Sequence, residues 1–162
     1  MNYNLPIEFL WGTFCRRGIV DSRTGTASMI DIIPGLRIAS QIDAKTLALD
    51  HPQMLNIPFG NVAAFALFGR TNQNPSERQE KIAESLIVDF SIPGSGSQSS
   101  EIPILIEPEQ DSTFVIFAFE NASVSVPFEE GFYKQLFEVD YKLKEFDLGK
   151  INLPVYITVG KE

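Results

Sequence analysis

The sequence predicts an all-β protein: an antiparallel two-sheet β-sandwich, immunoglobulin-like (Ig-like) or jelly-roll-like, with about eight or nine strands and little helix. Three observations carry that prediction. Apolar and polar residues alternate with period two, most plainly in GFYKQLFEVDYKL (131–143), as they must when successive side chains leave a strand on opposite faces. No segment offers a convincing apolar repeat of 3.6 residues. Clusters of Gly, Pro, Asn, Asp and Ser punctuate the apolar runs at short spacing. The chain has 162 residues, 44% of them hydrophobic, so 1–162 reads as a single sandwich domain with ample material for one core. Thirteen residues are Phe against one Trp and four Tyr. Phe has no polar tip, so this bias predicts a Phe-rich core more than a wet stacking platform.

In chain order, the first element is a hairpin with strands near Phe9–Val20 and Thr26–Ile33. Asp21 opens its loop, and Gly25 supplies the positive φ that closes it. Pairing Asp21 with Thr26 sets Arg16 opposite Asp31 and Arg17 opposite Ile30. Trp11, Cys15, Ile19, Ile30 and Ile32 then share one face, the expected buried one. Arg16 is expected to face solvent and pair with Asp31, a cross-strand contact worth roughly 0.2–1 kcal/mol. Arg17 is expected on the core face, its stem covering apolar surface and its head reaching water. Pro34-Gly35 ends the second strand.

Residues 36–60 are harder to read. GLRIAS fits a short strand, DAKTLALDH fits a helical turn or a strand, and Pro52 and Pro58 break either pattern. Asn61–Arg70 and Ala83–Ile92 are two good strands joined by a polar loop. Pro93–Ser100, PGSGSQSS, has a tether's composition and is expected to be an exposed, poorly ordered loop tip. IPILIEP gives a short strand interrupted by Pro103. Ser112–Glu120 is apolar on both faces and therefore expected to be central. In 131–143, Tyr133, Gln135, Phe137, Val139 and Tyr141 fall on one side; in LPVYITV, Val155, Ile157 and Val159 form one row.

The stretch FCRRGIVDSRTGTASMIDII resembles the N-terminal hairpin of a family of small uncharacterised bacterial proteins. The run from Gly131 to Val159, with its Gly-x-Tyr, Val139-Asp140 and Leu153-Pro154-Val155, is similar to that family's closing hairpin. The resemblance implies a small β-sandwich-type domain and brings no activity or functional residue with it.

Charge and motif content argue against most marked chemistries. The net charge of −8 repels a nucleic-acid backbone. Residues 1–40 hold four Arg against three acids, whereas 101–140 hold nine acids and one Lys, which predicts a solvated acidic face. No apolar window reaches the roughly 18–20 residues of a membrane helix. The opening MNYNLPIEFLWGTF lacks the basic start and apolar segment of a secretory leader. A cytoplasmic protein that binds neither membrane nor nucleic acid is the expectation.

Cys15 is the one cysteine, so no internal disulfide forms, and a mid-strand thiol is expected to be inert. His51, the one histidine, follows Asp50 in a Pro-broken stretch, and a loop histidine is expected rather than a catalytic base. Gly94-Ser95-Gly96-Ser97 lacks the strand-to-helix setting of a nucleophile elbow. Glu107, Glu109 and Asp111, with Glu129-Glu130, are the best calcium candidates, although no D-x-D-x-D-G loop is present. Trp11, Tyr133, Tyr141 and Tyr156 are candidates for a sugar platform, but their rows coincide with apolar strand faces. A carboxylate pair for hydrolysis is not selected by anything in the sequence. The expectation is therefore no catalytic, metal or cofactor-binding residue, and no enzyme. What remains is a binding or assembly module acting through protein–protein contact, with a protein partner or with itself as a homodimer, since sandwich edges invite pairing. The alternatives are a carbohydrate- or calcium-binding sandwich and, behind it, a hydrolase.

Overall fold

Among the described residues, alternation in the sequence becomes nine strands: β1 (Ile7–Asp21), β2 (Thr26–Ile33), β3 (Leu36–Ile42), β4 (Met54–Arg70), β5 (Ile82–Ile92), β6 (Gly96–Ile106), β7 (Ser112–Pro127), β8 (Gly131–Leu143) and β9 (Phe146–Lys161). The computed structural model describes residues 5–21, 26–42, 54–72, 74, 80–92 and 96–161. The strands form a four-stranded sheet, in the order β2-β1-β4-β7, and a five-stranded sheet, β3-β9-β8-β5-β6. Neighbours are antiparallel except β3 and β9, which run parallel. This is the two-sheet sandwich the periodicity predicts.

The inner faces meet through aromatic rings. Phe14 and Phe59 approach Phe137 edge-on at 5.5 and 6.4 Å, and Phe90 meets Phe117 and Phe119 at 5.2 and 5.0 Å. Edge-on and tilted geometries set the positive edge of one ring against the negative face of another. The rows of the last two strands fall as predicted: Phe137, Val139 and Tyr141, and Val155, Ile157 and Val159, are all buried. The short strand GLRIAS is also present, within β3.

Pro34-Gly35 ends β2 as expected, whereas Pro58 and Pro103 were expected to interrupt strands and do not; Pro52 lies outside the described residues. β4 begins at Met54 and runs through Pro58, and β6 runs through Pro103 from Gly96 to Ile106. Each proline sits where one flank of its strand is open. β6 is an edge. β4 is joined by β1 only from Ala63 onward, and β9 is joined by β3 only from Val155, one residue past Pro154. A residue without an N–H loses no ladder bond on an open flank. The tether expectation is corrected in part: Ser97, Gln98 and Ser99 are exposed as expected, but Gly96–Ser100 belongs to β6 and pairs with Val88–Ile92, while Pro93–Ser95 lies outside the described residues. Ser112–Glu120 is corrected too. It opens β7, an edge strand, and the stretch buried on both faces is Val62–Arg70 of β4.

Tyr141 is completely buried against Phe9 and Phe68, and its hydroxyl has no hydrogen-bond partner among the described residues. Burial alone pushes the phenol's pKa well above its ordinary value. A buried, unsatisfied polar atom costs about 1–3 kcal/mol, and Phe has the same ring without it. Tyr141→Phe is therefore expected to stabilise the fold by about 1–2 kcal/mol, read as a higher urea midpoint at an unchanged slope.

Candidate interaction surface

Strand parity sends the other half of β8 and β9 outward. Cross-strand pairs place Phe132 beside Thr158, Lys134 beside Tyr156 and Leu136 beside Pro154, and β3 adds Arg37 on the far side of Tyr156. Phe132 is 87% exposed, with Leu136 at 41% and Tyr156 at 39%. The Arg37 guanidinium lies 5.3 Å from the centre of the Tyr156 ring and the Lys134 ammonium 5.7 Å from it. A cation over a ring face is held by the ring's quadrupole, so the two charges flank the aromatic without a carboxylate. No ion pair engages either cation among the described residues.

The rest of this face is closed by its own charges. Lys142 lies 3.1 Å from Asp89 and 4.0 Å from Asp147, and Lys150 lies 3.9 Å from Glu138 and 4.0 Å from Asp140. The Ser99 hydroxyl donates to Asp89 as well. That hydrogen bond first, and Lys142 second, hold the Asp89 carboxyl below the usual carboxylate range. A depressed folded pKa means the contribution is complete above the unfolded value, near 3.9, and fades as pH falls through the folded one. Asp89→Asn is thus expected to flatten the acid limb of the stability curve below about pH 4. At neutral pH it costs no more than about 1 kcal/mol, because the pair is partly solvated.

On the opposite sheet the paired arginines resolve differently from expectation. The hairpin register is the expected one, with Arg17 opposite Ile30 and Asp21 opposite Thr26, but the ladder skips Arg16 and Asp31, and Asp31 takes φ 55°. Arg16 does not pair with Asp31. Its Nη1 donates to the carbonyls of Phe59 (2.7 Å) and Asn61 (3.3 Å) on β4. Those carbonyls flank a bulge at Gly60, φ 92°, on the stretch of β4 that β1 has left. A backbone group without a ladder partner needs another donor, and the guanidinium supplies it.

The expected core face is corrected as well. Trp11, Ile19, Ile30 and Ile32 are exposed, and Arg17 is solvent-facing rather than core-facing. Cys15 is buried, but with Ala63 and Phe65 in a second small cluster on the outer face of the four-stranded sheet. The physical reason is a bend. Gly18 is five residues beyond Thr13, the partner of Phe65, which in an extended strand is about 17 Å. Yet a Cβ on Gly18 would lie 3.2 Å from the Phe65 ring and 3.0 Å from Ile116. The hairpin therefore folds back over its own sheet, and Ala27 and Met29 cover Cys15, Ala63 and Phe65. Burial raises the pKa of the Cys15 thiol, which further lowers its thiolate fraction. Arg16→Ala removes the latch. It is expected to speed reaction of Cys15 with a disulfide reagent by about tenfold, with Arg17→Ala unchanged.

The remaining candidates do not converge. Tyr141 is internal, the Tyr133 hydroxyl donates to the Glu129 carbonyl, Trp11 lies on the opposite sheet from Tyr156, and no shared platform exists. In the acidic loop, carbonyls that a cation would use are turned to Arg70, which is only 5% exposed. Its Nε donates to Gln110 (2.9 Å) and its Nη2 to Ile106 (3.1 Å), Glu107 (2.8 Å) and Glu80 (3.4 Å). No cluster of three His, Cys, Asp or Glu suited to a metal occurs among the described residues. A recess of about 870 Å³ is lined by Leu5–Phe9, Thr71, Asn72, Asp147 and Leu148, and its Thr71 hydroxyl is spent on the Leu5 carbonyl. His51 and Ser95 lie outside the described residues. No helix among the described residues is long and apolar enough to cross a membrane. Phe132 and Arg37 were not singled out from sequence, although Phe132 shares the parity of Lys134 and Leu136, the polar side of an alternating strand.

No protein-family model matches the chain, and no curated protein matches it. Among solved structures, the N-terminal domain of PorA is similar over 91% of this chain and 97% of that one, at 8% identity and a TM-score of 0.26. A likeness that loose carries no argument here.

Proposed function

We propose that the chain is a non-catalytic binding or assembly module that acts through protein–protein contact. One observation carries this reading: Phe132, 87% exposed, stands with Leu136 and Tyr156 beside two cations that have no carboxylate partner among the described residues. Exposed aromatics grouped with Arg are the composition of contact hot spots. The reading includes a cytoplasmic setting, on the sequence grounds given above. It is supported by the Arg70 arrangement, which commits the acidic loop's carbonyls internally and so disfavours calcium there.

The test is sedimentation of the purified chain, alone and in extract, paired with a thermal-shift screen over calcium, EDTA and sugars. The expected result is a species heavier than the monomer and a flat screen, where a ligand at a hundred times its Kd would add about 2.7 kcal/mol. A strict monomer without a protein partner contradicts the proposal.

A further inference from the structure

The same surface has a symmetry of charge that names its occupant. Glu130, Phe132 and Lys134 follow one another at two-residue steps, so a base and an acid flank the exposed ring at equal distances along the chain. Glu129 and Glu130 are exposed in the turn before β8, and Lys134 with Arg37 brackets Tyr156 beyond it. A two-fold axis through Phe132, perpendicular to β8, would bring Glu130 of one copy over Lys134 of the other, and the reverse, while the two Phe132 rings meet at the axis. Isologous contacts require such self-complementarity, because residue i meets j and j meets i. A patch that was merely basic would not satisfy it, and neither would a uniformly acidic one on this chain of net charge −8.

We infer that the outer face of β8, β9 and β3 is the contact between two copies of this chain, arranged face to face about Phe132. The inference rests on the contact-module reading and adds the partner and the surface. Arg37 and Lys134, on the strands either side of β9, place their cations 5.3 and 5.7 Å from the Tyr156 ring centre beside the axis. Leu136 and Pro154 continue the apolar strip along the paired strands. The half of the sheet occupied by the Lys142 and Lys150 ion pairs lies outside the contact, since its charges are already matched.

Sedimentation equilibrium on the full chain tests this with charge reversal. The wild-type protein is expected at twice the chain mass. Phe132→Glu is expected to give a folded monomer with an unchanged far-ultraviolet circular dichroism spectrum, as the side chain is at the surface, and a urea midpoint lowered only by the loss of association. Glu130→Lys and Lys134→Glu each place like charges across the axis twice, so each is expected to weaken the dimer by about tenfold or more. The combined reversal Glu130→Lys/Lys134→Glu is expected to restore it. A dimer indifferent to Phe132→Glu overturns the inference by placing the interface elsewhere, while the contact-module reading stands. Additive weakening in the double reversal overturns the two-fold arrangement. A wild-type monomer that sediments with another protein in extract overturns self-association alone; a monomer with no partner removes both.

Discussion

Replacing Arg70 with Met is expected to lower stability by about 3–5 kcal/mol, because several carbonyls lose their donor at once. Arg70 ends β4 and is nearly fully buried, and its Nε and Nη2 donate to four backbone carbonyls from two separate segments, Glu80 and the 106–110 turn. Its own backbone N–H also donates to the Asp111 carbonyl at 3.0 Å. Met fills much of the same volume and supplies no donor. Each carbonyl left buried and unpaired costs about 1–3 kcal/mol, less whatever water reaches it. Lys keeps the charge but not the planar fork that reaches several acceptors together, so Arg70→Lys is expected to fall between the two. Urea unfolding of the three proteins checks the order. A midpoint unchanged in Arg70→Met would mean that water replaces the guanidinium without penalty.

The second large effect is expected at Gly149. A Cβ there would stand 2.5 Å from two ring atoms of Phe9 and 2.9 Å from its Cβ. The ring cannot yield easily, because it is wedged between Phe68 (5.7 Å, edge-on) and Tyr141 (5.9 Å, stacked). Here β1 packs tightly against β9, and Gly149 makes room for the aromatic. Overpacking of a fixed core costs about 1–3 kcal/mol, and Gly149→Ala is expected near the upper end. Phe9→Ala alone loses packing, but in combination with Gly149→Ala it removes the two ring atoms that stand 2.5 Å from the new Cβ. The double variant is therefore expected to be more stable than the sum of its parts, a coupling visible in a double-mutant cycle. Strict additivity would contradict the steric account.

What the sequence discloses and what it withholds follow from range. β8 and β9 are legible because each has one apolar row and one polar row, and period two then fixes the buried face without knowing the neighbours. The β1–β2 hairpin is legible in register, since Asp21 and Thr26 bracket a short loop, but not in face. Both parities of β1 carry apolar residues: Phe9 and Phe14 face the main core, while Cys15 belongs to the covered outer cluster. Alternation cannot rank two apolar rows, and the bend at Arg16 and Asp31 depends on carbonyls more than forty residues away. Pro58 and Pro103 misled for the same reason. Whether a strand tolerates proline depends on an open flank, and strand order is invisible locally. Arg70 shows the limit most clearly: an Arg closing the run NVAAFALFGR is an oddity in sequence, and only the folded turn at 106–110 explains it.

Hydroxyl-radical footprinting of the intact wild-type chain, at dilute and at concentrated protein, tests the central claim most directly. Concentration is expected to shield Phe132, Leu136 and Tyr156 from oxidation, leaving Trp11, Ile19 and Ile30 on the other sheet as reactive as before. Equal oxidation of Phe132 at both concentrations, with shielding of Trp11 or Ile30 instead, would contradict the account.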